Sequence, residues 1–180
     1  MNKLIETIDL TKVYGEKETS VTALNSITTA FNENQFTAIM GPSGSGKSTL
    51  LHCLAGLDKV TSGSILINGI DLASLNDKEL TKMRRDSFGF VFQAFNLIPT
   101  LTAEENITLP SSIAGRKPED EWVEQVIEAM DIGDRLGHRP NELSGGQQQR
   151  VAAARAMASK PEVIFADEPS GNLDSKSSKE

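Results

Sequence analysis

The chain has 180 residues, a formal net charge of −7, and 38% hydrophobic and 24% charged residues, which excludes an intrinsically disordered protein and fits one soluble globular domain. The acidic charge argues against a general nucleic-acid-binding protein, because no basic stripe is present to replace phosphate counterions. No apolar run approaches the roughly 20 residues that span a bilayer, and the lone Cys53 excludes an internal disulfide and a Cys/His metal cluster.

Two strands are predicted near the start of the chain. Residues 4–10 alternate between apolar and polar side chains, and residues 21–27 form a second strand pattern after a polar turn. Between them lies Tyr14, the only tyrosine. Its ring either stacks on a nucleotide base or packs on the surface, and its position alone does not decide between the two.

A glycine-rich stretch, residues 41–49, has the spacing of the Walker A phosphate-binding loop. Its glycines adopt backbone conformations closed to other residues, so successive N–H groups turn inward around an anion. Lys47 adds a charge for the outer phosphates, Ser48 offers a hydroxyl to magnesium, and the positive N-terminal end of the following helix points at the same phosphates. The predicted nucleotide-binding residues here are Gly41, Pro42, Ser43, Gly44, Ser45, Gly46, Lys47, Ser48 and Thr49.

The segments on either side of this loop match what the motif requires. Residues 35–40 are a short apolar run of strand length, and residues 49–55 predict a helix that ends at Gly56. Cys53 lies within the apolar pattern of this helix, so we expect it to be buried. Strand, loop and helix in that order are the structural context of a phosphate-binding loop.

A hairpin and a helix are predicted next. Residues 64–69 form a strand that leads into an Asn-Gly turn, which is a strong hairpin signal. Asn76 with Glu79 three residues later forms a capping box, and we expect the helix to run to about Arg85.

Residues 88–92 form the pattern of a buried strand, and Gln93 stands at its end. A polar amide at this position can simply end the strand. It can also coordinate a metal or a water beside a bound phosphate, because its carbonyl oxygen is a ligand and its amide nitrogen a donor. The residue alone leaves both interpretations open.

The following stretch is predicted to be helical. Thr102 and Glu105 form a capping box, and the acidic turn after Pro118 starts another helix. That helix has one apolar face. We interpret its acidic residues as a solvated face and assign them no catalytic role.

A third helix start, at Ser144, contains two glycines in its first turn. Ser144 and Gln147 again form a capping box, yet glycine is a poor helix former, by roughly 1 kcal/mol relative to alanine. Without side chains the helix N-terminus is bare, so its N–H groups and the Ser144 hydroxyl are open to an anion.

Residues 163–166 predict a short buried strand, followed by two carboxylates. Asp167 and Glu168 fit the Walker B role, in which the aspartate holds the magnesium shell and the glutamate acts as general base towards the attacking water. The alternative is a strand that ends at two solvated acids.

Taken together, these motifs resemble those of the nucleotide-binding domains of ATP-binding cassette (ABC) proteins. The signature of that family matches Ser144, Gly145, Gly146 and Gln147, its Q-loop matches Gln93, its adenine-stacking aromatic matches Tyr14, and its D-loop matches residues 170–174. The motifs occur in the family's order and cover nearly the whole chain.

The resemblance implies an α/β fold: a P-loop ABC ATPase core with a mixed sheet around the Walker A helix, an antiparallel N-terminal β part and a helical insert. It implies an ATPase core of residues 1–93 and 160–180 and a helical subdomain of residues 94–159. It also implies ATP and Mg²⁺ as ligands, with Ser48, Gln93 and Asp167 at the metal and Glu168 as the catalytic base. The signature of one protomer would cap the ATP held by the Walker A loop of the other, in a head-to-tail dimer.

The phrases around Gln93 and Asp167 look most like the ATPases of lipoprotein release, macrolide export and division-site permeases. The resemblance therefore implies an integral-membrane permease partner, and a cytoplasmic protein held at the inner face of the cell membrane. The start of the chain also lacks the long apolar core of a signal peptide. The alternatives are a nucleotide-gated ABC scaffold and a non-transport ABC ATPase, both with slow hydrolysis.

The family carries a switch histidine several dozen residues after the Walker B glutamate, and neither His52 nor His138 lies in that position. We therefore expect residues 1–180 to be an incomplete domain that lacks the closing strands of the sheet.

Overall fold

Two long antiparallel strands begin the chain, β1 (Lys3–Tyr14) and β2 (Val21–Asn32). The computed structural model describes residues 2–169, and the chain divides into an N-terminal unit, Met1–Lys82, and a C-terminal unit, Met83–Glu180. Both strands are longer than the sequence pattern predicts. Register shifts in β1 interrupt the regular alternation of side chains, which explains why the pattern marks only part of each strand.

The N-terminal sheet has the order β2-β1-β3-β4, with all pairs antiparallel. β3 (Ser62–Ile67) and β4 (Ile70–Asp71) form the predicted hairpin. The backbone φ angles are 49° at Asn68 and 77° at Gly69, as a tight two-residue turn requires. The predicted antiparallel N-terminal part of the fold is therefore confirmed.

Residues 35–40 do not form the predicted strand, and this prediction is wrong for the structure. Phe36 is 98% exposed and Met40 89% exposed. A strand needs a neighbour to satisfy its N–H and C=O groups, and this segment pairs with no strand of the described sheets. An apolar run indicates a tendency to pair, but it does not supply the partner.

Two helices complete the N-terminal unit. α1 (Lys47–Leu54) follows the glycine-rich loop and has Cys53 and Leu54 buried. α2 (Asp77–Ser87) starts in this unit at the predicted capping box, where the Asn76 side chain accepts from Glu79 N at 3.0 Å and the Glu79 carboxylate accepts from Asn76 N at 2.9 Å. The buried apolar core of the unit consists of Ile5, Leu10, Leu24, Cys53, Leu54, Ala55, Ile65, Ile67 and Leu72.

The C-terminal unit contains a two-stranded parallel sheet, β5 (Phe88–Val91) and β6 (Val163–Ala166). Val91 pairs with Ala166, so the carboxyl ends of the two strands lie at the same edge. α5 (Gly145–Ala158) packs closely on β5. The approach is so close that a Cβ at Gly89 would lie 2.3 Å from the carbonyl oxygen of Ala156. Only glycine fits that position without moving the helix.

Three helices surround the second core. α3 (Ala103–Ile113) and α4 (Asp120–Ala129) pack against α5, and the Trp122 indole donates to the Met157 carbonyl at 2.9 Å. The helices predicted from the Thr102 box, from Pro118 and from the Ser144 box are thus confirmed. Their shared buried core consists of Ala103, Ile107, Val123, Val126, Ile132, Leu143, Val151, Ala154 and Ala158. Within residues 2–169, no helix combines the length and the apolar character needed to cross a bilayer.

Candidate nucleotide-binding site

The glycine-rich loop bends sharply into α1. Gly44 and Gly46 have φ angles of 77° and 87°, a region that residues with a Cβ rarely occupy. Gly46 is the N-cap of α1, and a Cβ there would also lie 2.4 Å from the Ala23 carbonyl oxygen. Residues 41–45 are exposed and residues 46–49 half-buried. The loop therefore leads into a helix N-terminus that no side chain caps.

Lys47 lies inside this loop. Its Nζ donates to the carbonyl oxygen of Pro42 at 3.0 Å, so the ammonium folds back across the turn. The backbone N–H of Ser45 donates to the same carbonyl at 3.2 Å. A cation beside a glycine-rich turn at a helix N-terminus is an arrangement that binds phosphate.

Tyr14 ends β1, and its side chain remains 41% exposed. Its hydroxyl donates to a carboxylate oxygen of Asp58 at 2.5 Å, and the Lys12 ammonium lies 4.6 Å from the centre of its ring. The hydrogen bond to Asp58 raises the pKa of the phenol, and burial adds a smaller effect in the same direction. The polar tip of the ring is thus fixed, while part of its surface stays accessible.

The carboxyl edge of the parallel sheet holds three of the predicted residues. Gln93 follows β5 and is exposed, Asp167 follows β6 and is half-buried, and Glu168 is exposed with a φ of 45°. Asp167 N donates to the Val91 carbonyl at 2.9 Å, which extends the strand pairing to this edge. The structure thus brings these residues to one edge of one sheet.

The donor atoms of Ser48, Gln93 and Asp167 are a hydroxyl, an amide carbonyl and a carboxylate. Mg²⁺ prefers oxygen ligands and is usually held by one or two carboxylates together with waters and substrate phosphates. Among residues 2–169 there is no cluster of three or more His, Cys, Asp or Glu side chains suited to a metal. The donor set fits Mg²⁺ bound together with a nucleotide and does not fit an all-protein metal cage.

The signature residues form the N-terminal turn of α5. The Ser144 side chain accepts from Gln147 N at 3.3 Å, and the Gln147 side chain accepts from Ser144 N at 2.8 Å. Ser144 and Gly145 are exposed, and Gly146 and Gln147 half-buried. A Cβ at Gly145 would meet nothing within 4 Å in the described chain, leaving aside its own helical neighbours. Packing within the chain therefore does not explain why this residue is a glycine.

Arg155, on α5, lies in none of the sequence motifs described above. Burial lowers the pKa of its guanidinium, which donates to the carbonyl oxygens of Phe95 and Asn96 at 2.8 and 2.6 Å. Both acceptors belong to the loop after Gln93, and both have positive φ angles of about 50°. Arg155 lies nearly 60 positions along the chain from the two residues whose carbonyls it contacts, so no local sequence pattern predicts these hydrogen bonds.

Two further polar residues lie near the same loop and helix. Asn106 is fully buried, and its amide holds the Ile98 backbone through bonds of 2.7 and 3.2 Å. Gln149 is 91% buried, and its amide oxygen has no hydrogen-bond partner among the described residues. The predicted D-loop, residues 170–174, lies outside the described part of the chain.

Comparison with known proteins identifies the family of the chain. A family model described as ABC transporter matches residues 24–171. The macrolide export ATP-binding/permease protein MacB of Marinobacter nauticus is 49% identical over 98% of this chain, which spans 28% of that protein. The lipoprotein-releasing system ATP-binding protein LolD of Geobacter metallireducens is 47% identical over 100% of this chain and 81% of its own length.

A solved structure shows the same fold. It is the dimeric post-hydrolysis state of the ATP-binding cassette MJ0796 of Methanocaldococcus jannaschii with ADP and Pi, 45% identical, with a TM-score of 0.86 over 97% of this chain and 78% of that one. The family match over most of the chain, the identity to these relatives and the shared fold place the chain in the ABC transporter family, among its ATPases.

Proposed function

We propose that this chain is the ATP-hydrolysing subunit of an ABC transporter and that it powers a membrane permease through ATP-dependent dimerisation. The observation that carries the proposal is the N-terminus of α5, where the capped turn of Ser144 and Gln147 presents an exposed Gly145 with open space around it. An exposed helix N-terminus whose first two residues are glycines is suited to meeting an anion held by another molecule.

In this proposal the N-terminal unit binds ATP. Tyr14 stacks on the base with its exposed ring. The loop of residues 41–49 surrounds the phosphates with its N–H groups, and Lys47 exchanges the Pro42 carbonyl for the outer phosphate oxygens. The αL glycines support this role, because they shape the turn that directs the backbone donors inward.

The C-terminal unit supplies the residues that act on the γ-phosphate. Gln93 and Asp167, together with Ser48, hold Mg²⁺, which when bound neutralises charge on the phosphates. Glu168 accepts a proton from the attacking water while the oxygen of that water bonds to the γ-phosphorus and the bond to the ADP oxygen breaks. Its exposed position at the strand end leaves the carboxylate accessible to water.

Dimerisation follows from the signature turn. The residues Ser144, Gly145, Gly146 and Gln147 would contact the ATP of a second protomer in a head-to-tail pair. The solved M. jannaschii cassette, which is dimeric, supports the pairing of two cassettes by similarity. We further propose an ATPase core of residues 1–93 and 160–180 and a helical subdomain of residues 94–159.

The partner and location follow from the relatives. Since MacB is named as an ATP-binding/permease protein and LolD as part of a lipoprotein-releasing system, we propose that this chain binds an integral-membrane permease and works at the cytoplasmic face of the membrane. The transported substrate would be chosen by the permease.

The direct test is Glu168→Gln, which keeps the side-chain size and removes the base. We expect ATP turnover to fall by about 10²- to 10⁴-fold, the usual contribution of a positioned acid or base, while ATP binding persists and a dimer accumulates in size-exclusion chromatography. Glu162→Gln, at the opposite end of the same strand, is the matched control and should turn over normally. Normal turnover of Glu168→Gln would contradict the assignment.

A second measurement separates the transporter subunit from a nucleotide-gated scaffold. ATP turnover of the wild type is measured alone and with a membrane fraction that carries its permease. Stimulation by the permease supports coupling, whereas slow turnover that the permease leaves unchanged supports the scaffold.

A further inference from the structure

Three side chains of the N-terminal unit form a compact polar cluster beside the glycine-rich loop. The Lys12 ammonium donates to Asp58 Oδ1 at 2.6 Å and to the Lys59 carbonyl at 2.7 Å. The Tyr14 hydroxyl donates to the other oxygen of Asp58 at 2.5 Å. Both oxygens of this carboxylate are therefore occupied by donors from β1.

Asp58 is fixed to the end of α1. The backbone N–H groups of Leu57 and Asp58 both donate to the His52 carbonyl, at 2.9 and 3.2 Å. α1 starts at Lys47, in the glycine-rich loop, and is only eight residues long. The carboxylate that holds Tyr14 is thus attached to the same short helix that carries the phosphate-binding residues.

The tip of the phenol is held by this carboxylate at the end of α1, while Tyr14 itself remains partly exposed. A residue with only a packing role would gain more by burying the ring, since apolar burial contributes about 25 cal/mol per Å².

The charges of the cluster favour its formation. Desolvation tends to raise the pKa of Asp58, but the hydrogen bonds from Lys12 and Tyr14 outweigh this effect. The pKa of Asp58 therefore lies below its ordinary value, and the carboxyl stays ionised to lower pH. The side chains of Lys12 and Asp58 are only 11% and 28% exposed. A partly buried ion pair with short hydrogen bonds holds its geometry more firmly than an exposed one.

We infer that Asp58, with Lys12, is a positioning residue for nucleotide recognition. It fixes the ring of Tyr14 relative to α1, so that the residues that contact the base and those that contact the phosphates are held in one rigid arrangement. The inference rests on the proposed function, in which Tyr14 stacks on the base of ATP. Neither Lys12 nor Asp58 touches the nucleotide in this scheme.

The test compares two ligands that share phosphates and differ in the base. Affinities for ATP and for inorganic tripolyphosphate are measured by isothermal titration calorimetry in the wild type and in Tyr14→Phe, Asp58→Asn and Lys12→Met. Tyr14→Phe keeps the ring and loses the bond to Asp58, and Asp58→Asn leaves one acceptor oxygen for two donors. We expect each to bind ATP about 3- to 10-fold more weakly, the range of one hydrogen bond, and to bind tripolyphosphate within twofold of wild type.

The affinity of the double variant Tyr14→Phe/Asp58→Asn for ATP should equal that of whichever single variant binds ATP less tightly. The two effects should not add, because both changes remove the same interaction. Lys3→Met removes an exposed ion pair to Glu6 on the same strand and serves as the matched control. Circular dichroism spectra and unfolding temperatures identify any variant that does not fold.

The outcomes distinguish the inference from the proposed function. If Tyr14→Ala binds ATP as tightly as wild type, base stacking by Tyr14 is wrong. If Tyr14→Ala loses affinity but Tyr14→Phe and Asp58→Asn do not, stacking stands and the positioning role of Asp58 is overturned. An equal loss for ATP and tripolyphosphate also overturns it, because the cluster would then act on the phosphate loop rather than on the base.

Discussion

The guanidinium of Arg155, on α5, donates to the backbone carbonyl of Asn96, 2.6 Å away in the loop after Gln93. A second bond, to the Phe95 carbonyl, holds the same loop. The helix that begins with the signature turn is therefore connected directly to the segment that follows the predicted Q-loop glutamine.

Arg155→Met should loosen this loop. The side chain keeps its apolar stem but leaves two carbonyls without their charged donor, so we expect a loss of about 1–3 kcal/mol in the free energy of unfolding. Urea denaturation measures the loss, and limited proteolysis should show faster cleavage near residues 95–96. The control is Arg135→Met, which removes an exposed pair with Asp134 and should cost less than about 1 kcal/mol. Unchanged proteolysis of Arg155→Met would contradict the restraint.

Gly46→Ala should damage both folding and nucleotide binding. The new Cβ would lie 2.4 Å from the Ala23 carbonyl at a φ of 87°, so both a clash and backbone strain arise. The matched control is Gly69→Ala, which has a φ of 77° but open space around it and lies in a hairpin outside the loop. We expect a loss of about 1 kcal/mol at Gly69 with normal ATP affinity, and a larger loss with weakened ATP binding at Gly46. Thermal unfolding and calorimetric titration measure the two effects.

The Lys12–Asp58 pair gives stability a defined dependence on pH. The pKa of Asp58 is lowered from 3.8 when the protein folds, so its contribution is present above about pH 4 and is lost as the pH falls through the folded pKa. The pKa of Lys12 is raised from 10.5, chiefly by its hydrogen bond to Asp58, so its contribution is present below that pH and is lost as the pH rises through the folded value.

Asp58→Asn should therefore lower the unfolding free energy by about 1 kcal/mol at neutral pH and by less at pH 3. Unfolding curves from pH 3 to pH 9 provide the measurement. Asp120→Asn, which breaks an exposed pair with Lys117, should leave the profile unchanged. A constant difference between wild type and Asp58→Asn across this range would argue against the pKa shift.

The thiol of Cys53 should react very slowly with labelling reagents in the folded protein. It is 1% exposed, and burial raises the pKa of its thiol to about 11. Because the thiolate is the reactive form, labelling with a thiol reagent at pH 7–8 should be far slower than in denaturant. Mass spectrometry of the alkylated protein follows the rate. Rapid labelling without denaturant would mean that α1 opens readily.

Local chemistry made much of the fold predictable. The capping boxes at Thr102 and Ser144 and the Asn68–Gly69 turn each depend on residues within three positions, and each forms as predicted. Longer-range features were not predictable. The strand expected at residues 35–40 requires a partner elsewhere in the chain, and a sequence pattern carries no information about which segment will pair with it.

The candidate site divides in the same way. The Walker A spacing predicts the loop that ends at Gly46. The motif is contiguous in the sequence, and the conformations of its glycines follow from steric rules. The hydrogen bond from Tyr14 to Asp58 joins residues 44 positions apart, and no periodic pattern marks either as a partner of the other. Such pairs are set by tertiary packing and become visible only in the folded chain.

The open space around Gly145 makes this position a natural place for a reporter group. Since the only native cysteine is buried, Gly145→Cys would offer one accessible thiol, and a Cβ at this position meets no described atom outside its own helix. The rate at which a small thiol reagent labels this cysteine would fall if a second cassette covered the signature turn. The glycine that packing within the described chain does not require would thus give a chemical readout of the proposed dimer.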